Sequence, residues 1–238
     1  MTLCSGAWRA AERENTVGSM IDLTAADGHR FGAYVAQPVG KARGALVVAQ
    51  EIFGVNSHIR AVADGYAADG FLAIAPALFD RAERGVELGY TPADIQRGQA
   101  LKAASPSDKA LVDIAAALAH VQAAGRVGMV GYCWGGLLSW LAACELSGLA
   151  ASVPYYGGGV PDQAARQARV PVMAHFGERD THIPMPTVDA FGKAQPGVKL
   201  HLYAAGHGFN CDQRGSFDAV SAALARQRTL AFLREHVG

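Results

Sequence analysis

The chain has 238 residues, half of them apolar and 18% charged, which is enough to bury a sizeable core. Its 21 basic and 21 acidic side chains balance, which argues against nucleic acid or an anionic membrane as a partner. No apolar run reaches the roughly 18 residues of a membrane span. Residues 1–17 lack an apolar signal core and are interpreted as a loosely held N-terminal arm. The four cysteines show no C-x-x-C pairing, so we expect reduced thiols and a cytoplasmic location.

The first third of the chain reads as strands with a helix between two of them. Two alternating segments flank the turn signal Asp27-Gly28 and predict an antiparallel hairpin near a sheet edge. The apolar runs 45–49 and 70–75 predict strands that are covered on both faces. Ser57 is expected to cap the helix between these strands. Residues 77–106, rich in charges, glycine and proline, predict loops and short helices over a cleft.

The rest of the chain continues to alternate between predicted strands and predicted helices. The predicted helices span 107–124, 136–146 and 216–236, and the predicted strands span 127–130, 151–156, 170–176 and 198–203. This alternation predicts an α/β fold with a mostly parallel central sheet and helices on both faces. No linker or repeat interrupts it, so we expect one domain over residues 18–238. In such a sheet, ligands bind at the carboxyl ends of the strands.

The most informative stretch is Gly131-Tyr-Cys-Trp-Gly135, which follows an apolar strand and precedes a helix. Its spacing is that of a nucleophile elbow, G-x-nucleophile-x-G, with Cys133 at the nucleophile position. Glycine supplies the backbone freedom and the room that so tight a turn needs. The helix N-terminus favours a thiolate, and the next backbone N–H can face a developing oxyanion. The alternative is a buried cysteine in an ordinary strand–turn–helix.

Two further polar residues, Asp180 and His207, follow predicted strands downstream. The order Cys133, Asp180, His207 is the nucleophile–acid–histidine order of α/β-hydrolases. We predict that His207 accepts the thiol proton through one ring nitrogen while Asp180 holds the other. Taken singly, Asp180 and His207 could each be a turn or loop residue. His182 is the weaker candidate for the base, because it lies on the same loop as the acid.

The remaining histidines and cysteines receive structural interpretations. His175 and His201 lie within apolar strands, and Cys144 falls in a helix that is expected to be buried. Cys211 is expected to border the cleft, and Cys4 lies on the arm. No H-x-x-x-H or H-x-H spacing is present, so neither a metal site nor a cofactor is expected.

Over roughly residues 18–237 the chain resembles the dienelactone hydrolase (carboxymethylenebutenolidase) family. The resemblance is carried by Gln50-Glu-Ile-Phe-Gly-Val-Asn56, Gly131-Tyr-Cys-Trp-Gly-Gly136, Gly177-Glu-Arg-Asp180 and Ala205-Gly-His-Gly-Phe209. It implies an α/β-hydrolase fold and a carboxylic ester hydrolase with Cys133, Asp180 and His207 as its catalytic triad. It also implies hydrolysis of 4-carboxymethylenebut-2-en-4-olide to maleylacetate through a thioacyl-enzyme.

The resemblance implies further roles around the nucleophile. The backbone N–H groups of Ile52 and Trp134 would form the oxyanion hole. Glu51 would contact the resting thiol, and substrate binding would displace it and help to generate the thiolate. A carboxylate beside the thiol can accept its proton, while its charge disfavours an unneeded anion.

The resemblance also implies an anionic substrate held by two arginines. Arg81 matches the first of them, but Cys211 stands where the second is expected, four residues after His207. Arg214 is the candidate replacement. The alternatives are a hydrolase of another small lactone, ester or thioester, and a non-catalytic binding module on the same fold. We expect a monomer, with a homodimer as the alternative.

Overall fold

The computed structural model describes residues 18–238, so the predicted N-terminal arm lies outside the described part of the chain. Eight strands form one sheet in the order β1-β2-β4-β3-β5-β6-β7-β8. They are β1 (Ser19–Thr24), β2 (Arg30–Ala36), β3 (Ala45–Ala49), β4 (Leu72–Pro76), β5 (Val127–Tyr132), β6 (Leu149–Tyr155), β7 (Met173–Gly177) and β8 (Lys199–Tyr203).

The sheet is mostly parallel, as the alternation of elements predicts. The opening hairpin β1–β2 is antiparallel and lies at one edge, and β2 pairs antiparallel with β4. All other neighbouring strands run parallel, with β3 and β5 at the centre. Every residue of β3 and β5 is buried, which is why these strands read as unbroken apolar runs.

Helices cover both faces of the sheet. They are α1 (Ser57–Ala68), α2 (Pro92–Ala103), α3 (Ser107–Val121), α4 (Trp134–Glu145), α5 (Met185–Ala194) and α6 (Ala219–His236). The first and last helices lie together, because Arg226 of α6 pairs with Asp69 at the end of α1. On the other face α3 packs beside α4. Within residues 18–238 no helix combines the length and apolarity needed to cross a membrane.

Two local predictions need correction. The cap of α1 is Asn56 and not Ser57: the Asn56 side chain accepts a hydrogen bond from the N–H of Ile59 at 3.3 Å. Asparagine caps as well as serine does, so residue type alone cannot separate the two neighbours. The second correction is α5, for which no helix was predicted. Only Val188 and Phe191 of this helix are buried, so its apolar face is too narrow to stand out in the sequence.

Candidate active site

The turn between β5 and α4 forces Cys133 into an unusual backbone conformation. Its φ is 53° and its ψ is −112°, a combination that costs free energy in a residue with a side chain. A Cβ atom added at Gly131 would collide with the carbonyl oxygen of Gly135, and one added at Gly135 would collide with that of Ala49. The N–H of Gly135 donates to the carbonyl of Gln50 at 3.0 Å. The two glycines therefore let the turn close and pack against the end of β3.

The structure brings Cys133, His207 and Asp180 into one hydrogen-bonded chain. His207 Nε2 lies 3.1 Å from Cys133 Sγ, and His207 Nδ1 lies 2.7 Å from Asp180 Oδ2. The three side chains come from the loops after β5, β8 and β7, all at the carboxyl ends of parallel strands. The arrangement can move a proton between sulfur and imidazole while the carboxylate holds the ring.

The electrostatics of this chain favour a charged imidazole. Burial by itself would lower the pKa of His207, but the hydrogen bonds to Asp180 and Cys133 raise it to about 10. Asp180 is buried and uses its other oxygen to accept the backbone N–H of His182 at 2.8 Å. His207 therefore tends to keep its proton at neutral pH, the state that a thiolate–imidazolium pair requires.

Two rings hold the imidazole of His207 in place. The ring of His182 meets it edge-on at 5.2 Å, and the buried ring of Tyr156 does so at the same distance. His182 contacts Asp180 through its backbone, not through its ring. Tyr156 was not singled out in the sequence. Its position directly after β6 is the signal that could have found it.

Two backbone N–H groups lie near the elbow without an acceptor. Trp134 is the first residue of α4, and Ile52 lies in the loop after β3. Within residues 18–238 neither N–H donates a hydrogen bond. The Trp134 ring is buried and stacks on Phe79, with ring centroids 5.3 Å apart. Unsatisfied donors beside a nucleophile are the chemical requirement for an oxyanion hole.

Glu51 pairs with Arg214. The Arg214 Nη1 atom donates to Glu51 Oε1 at 3.0 Å, and Glu51 is 1% exposed. Burial by itself would lower the pKa of Arg214, but the Glu51 carboxylate and further nearby groups raise it. In the described part of the chain no hydrogen bond joins Glu51 to the Cys133 thiol, which contacts His207 instead. Glu51 is thus held by an ion pair, and its role as a modulator of the resting thiol stays a prediction.

Arg81 lies in a different ion-pair cluster. Its guanidinium donates two hydrogen bonds to Asp113 on α3, at 2.8 and 2.7 Å, and two to Asp27 in the β1–β2 turn, at 2.9 and 3.1 Å. The pKa of the Asp27 carboxyl is lowered to about 2, and the hydrogen bond from Arg81 is the largest cause. The structure does not bring Arg81 into contact with Cys133, His207 or Glu51. A role for Arg81 in substrate binding stays a prediction that would require it to leave these partners.

Cys211 is fully buried on the loop after β8. Burial, together with the nearby Glu51 carboxylate, raises the pKa of its thiol to about 12. Beside it lie Tyr90 and His58, neither of which the sequence reading singled out. His58 belongs to the first turn of α1, shortly after the end of β3, and that position is the signal that could have found it.

A parallel sheet with a nucleophile turn after β5, and with an acid and a histidine after β7 and β8, defines an α/β-hydrolase. The family model "Dienelactone hydrolase family" matches residues 31–237, and the chain belongs to this family. It is therefore a carboxylic ester hydrolase.

Relatives and solved structures agree with this membership. A carboxymethylenebutenolidase of Pseudomonas putida is 36% identical over 227 residues, which cover 90% of this chain and 94% of that protein. Carboxymethylenebutenolidase 1 of Cupriavidus pinatubonensis is 30% identical, covering 90% of this chain and 95% of its own length. A crystal structure from Klebsiella pneumoniae, assigned as a dienelactone hydrolase, is 30% identical with a TM-score of 0.80, covering 92% of this chain and all of that one.

Proposed function

We propose that this enzyme hydrolyses a small lactone or ester through a thioacyl intermediate on Cys133. The observation that carries the proposal is the hydrogen-bonded chain from Cys133 Sγ through His207 to Asp180, built on the elbow. A binding module would have no need of the three groups together at hydrogen-bonding distances.

The proposed acylation begins when the Cys133 sulfur attacks the substrate carbonyl carbon. Negative charge then forms on the carbonyl oxygen, and the N–H groups of Ile52 and Trp134 would stabilise it. As the carbon–oxygen single bond breaks, His207 gives its proton to the leaving oxygen, while Asp180 stabilises the imidazolium. In a lactone the leaving oxygen stays attached to the acyl chain, so one thioester results.

Deacylation uses the same groups in reverse. A water molecule gives a proton to neutral His207 and attacks the thioester carbon. The carbon–sulfur bond breaks, the free acid leaves, and the proton on His207 restores the resting pair with Cys133. No redox step or external group is needed, because each proton that is accepted is later returned.

We propose an anionic substrate and take 4-carboxymethylenebut-2-en-4-olide, which would give maleylacetate, as the first compound to test. The names of the relatives support this choice, and so does the placement of Arg214. This arginine lies beside Glu51 and stacks over the ring of Phe53, with Cζ 5.5 Å from its centroid. A substrate carboxylate would compete with Glu51 for Arg214. Once displaced in this way, Glu51 would be free to accept the proton of the Cys133 thiol.

Kinetics with one anionic lactone and one neutral aryl ester test the proposal. Cys133→Ala should abolish turnover of both, and intact-protein mass spectrometry should show an acyl adduct only when Cys133 is present. Full activity of Cys133→Ala would overturn the proposed mechanism. Cys144→Ala is the matched control, because Cys144 is a buried thiol on α4 outside the site.

Two arginine variants address the anionic substrate. Arg214→Gln should raise KM for the anionic lactone and spare the neutral ester, because only the anion loses a partner. Arg81→Gln should act in the same way only if Arg81 leaves Asp27 and Asp113 to meet substrate. Equal losses on both substrates for either variant would assign that arginine a structural role.

The free thiols also bear on location. Cys133, Cys144 and Cys211 are all unpaired, as expected for a reducing compartment, and we propose a cytoplasmic enzyme. Cell fractionation tests this point, and gel filtration with light scattering tests the prediction of a monomer against a homodimer.

A further inference from the structure

Three buried donor side chains converge beside the elbow, and the proposed reaction uses only one of them. One oxygen of Glu51, one ring nitrogen of His58 and the sulfur of Cys211 all lie within 4.8 Å of one another. The three residues are 1%, 3% and 0% exposed. Oxygen, nitrogen and sulfur donors drawn from separate segments of the chain seldom meet in a core without a reason, because each is costly to bury unpaired.

Two of these three residues each have a side-chain atom that lacks a hydrogen-bond partner. Glu51 Oε2 and His58 Nε2 are buried polar atoms without one anywhere in residues 18–238. A buried carboxylate oxygen and a buried imidazole nitrogen are both strong ligands for a cation. The two atoms therefore identify a place where a bound ion would satisfy what the protein itself leaves unsatisfied.

In His58 and Glu51 the atom that is not the unsatisfied one already has a partner. Asp212 Oδ1 lies 3.2 Å from His58 Nδ1, which selects the tautomer with the proton on Nδ1 and leaves the lone pair on Nε2. Arg214 occupies the other oxygen of Glu51. A carboxylate–histidine pair of this kind is the usual outer support of a metal-binding histidine.

The third donor is supported in the same way. Tyr90 hydrogen-bonds the sulfur of Cys211. The Tyr90 hydroxyl itself accepts a hydrogen bond from Asn56 Nδ2 at 3.1 Å, which leaves its O–H free to point at the sulfur. Each of the three donors thus has its own outer partner.

We propose that Glu51, His58 and Cys211 form a binding site for a thiophilic divalent transition-metal ion, with Zn²⁺ the best match. Magnesium and calcium prefer oxygen ligands alone, whereas a set of one sulfur, one nitrogen and one oxygen suits zinc. Tetrahedral zinc, with bonds of about 2.0–2.3 Å, spaces its ligand atoms about 3.5 Å apart, so small side-chain rotations close the site. Binding would release the thiol proton of Cys211 to solvent and leave one coordination position for water.

A metal ion at this site would inhibit the enzyme. It would hold Glu51 through Oε2, and a carboxylate fixed in this way could not act on the Cys133 thiol. This consequence rests on the proposed function, but the binding itself does not. The expectation of no metal depended on local histidine spacing, which cannot detect donors assembled from the β3 loop, α1 and the β8 loop.

Cobalt(II) titration of the full chain tests the binding directly. In a background of Cys4→Ser and Cys133→Ala, one equivalent of Co²⁺ should give a near-ultraviolet thiolate-to-cobalt absorption band. Zn²⁺ should displace the cobalt and abolish the band. Adding Cys211→Ser should remove it, whereas adding Cys144→Ser should leave it unchanged. A band that survives Cys211→Ser, or no saturable binding at micromolar Co²⁺, would overturn the proposal.

Two milder variants keep the test decisive if Cys211→Ser folds poorly, which circular dichroism would reveal. His58→Gln should weaken Co²⁺ binding at least tenfold, and Asp212→Asn, which acts only through His58, by about 10–100-fold. Unchanged affinity in both variants would overturn the site. Zn²⁺ should also inhibit ester turnover of the wild type reversibly with a chelator, and should do so less in His58→Gln. Because the cobalt titration needs no turnover, failure of the metal site and failure of the proposed hydrolase are distinguishable.

Discussion

The surroundings of His207 and His175 differ in a way that explains their opposite protonation. The two residues lie at neighbouring strands: His175 is fully buried within β7, and His207 is mostly covered just after β8. His207 contacts a carboxylate and a thiol, and its pKa rises. Within residues 18–238 the ring of His175 hydrogen-bonds only to hydroxyl groups, Tyr203 at 2.7 Å and Thr229 at 2.9 Å, and burial lowers its pKa well below the usual value. Burial alone therefore does not decide the charge of a histidine, because the partner does.

The hydrogen bonds around His175 can be assigned a consistent order of donors and acceptors. Arg228 donates to the Tyr203 hydroxyl at 3.2 Å, so that hydroxyl can donate in turn to His175 Nδ1. His175 Nε2–H then donates to Thr229, which is 2.7 Å from Tyr155. A neutral imidazole satisfies every member of this chain, so the network ties α6 to the sheet without a charge.

The largest difference between the two histidines should appear in turnover. His207→Ala should lower kcat by about 10⁵-fold or more, because it removes the proton acceptor from the nucleophile. His182→Ala and His175→Gln should keep kcat within a few-fold of the wild type. Hydrolysis of a neutral aryl ester measures all three variants. A large loss in His182→Ala with a small one in His207→Ala would reverse the assignment of the base.

Removal of the Asp180 carboxylate should bring the pKa of His207 closer to that of His175. Asp180→Asn should lower kcat by about 10⁴-fold, because an amide stabilises neither the correct tautomer nor the imidazolium. The pKa of His207, followed by NMR of the ring protons, should fall at the same time. If that pKa stayed high in Asp180→Asn, the carboxylate would not be the cause of its elevation.

The reactivity of Cys133 should report the charge on His207. Iodoacetamide labelling of Cys133 at pH 6.5, followed by mass spectrometry, should be faster in the wild type than in His207→Ala. The imidazolium beside the sulfur favours the thiolate, which is the form that iodoacetamide attacks, and His207→Ala removes that cation. Equal labelling rates in the two proteins would show that His207 does not activate the sulfur.

The smallest expected effect is on stability in acid. The pKa of His175 in the folded state lies below its unfolded value of 6.5, so the unfolded chain binds the extra proton first. The contribution of neutral His175 is therefore complete above about pH 6.5 and is lost as pH falls, by about 1.4 kcal/mol per pH unit. Urea unfolding between pH 4.5 and 7.5 measures this slope.

Matched variants separate His175 from its neighbours. His175→Gln keeps a donor and an acceptor but cannot titrate, so it should flatten the dependence of unfolding free energy on pH. His201, stacked on His175 at 5.6 Å, also has a lowered pKa, so His201→Gln is the control. An equal slope in wild type and His175→Gln would show that the network does not depend on a neutral imidazole.

The sequence determined those features whose causes are local. The order of strands and helices follows from hydrophobic periodicity, which each segment carries by itself. The elbow around Cys133 follows from two glycines whose missing side chains make room for one tight turn. The sequence also predicted that Asp180 and His207 lie at the same edge of the sheet as Cys133, because the carboxyl ends of parallel strands all lie on one side of a sheet.

Only the tertiary structure decided which charged groups meet. Arg81 faces Asp113 and Asp27, and Arg214 faces Glu51, pairings between segments 32 to 163 residues apart. The opposite pKa shifts of His175 and His207 have the same origin, because they depend on which groups packing brings to each ring. Electrostatic free energy depends on distances between atoms brought together by packing, and no local pattern in the chain encodes those distances.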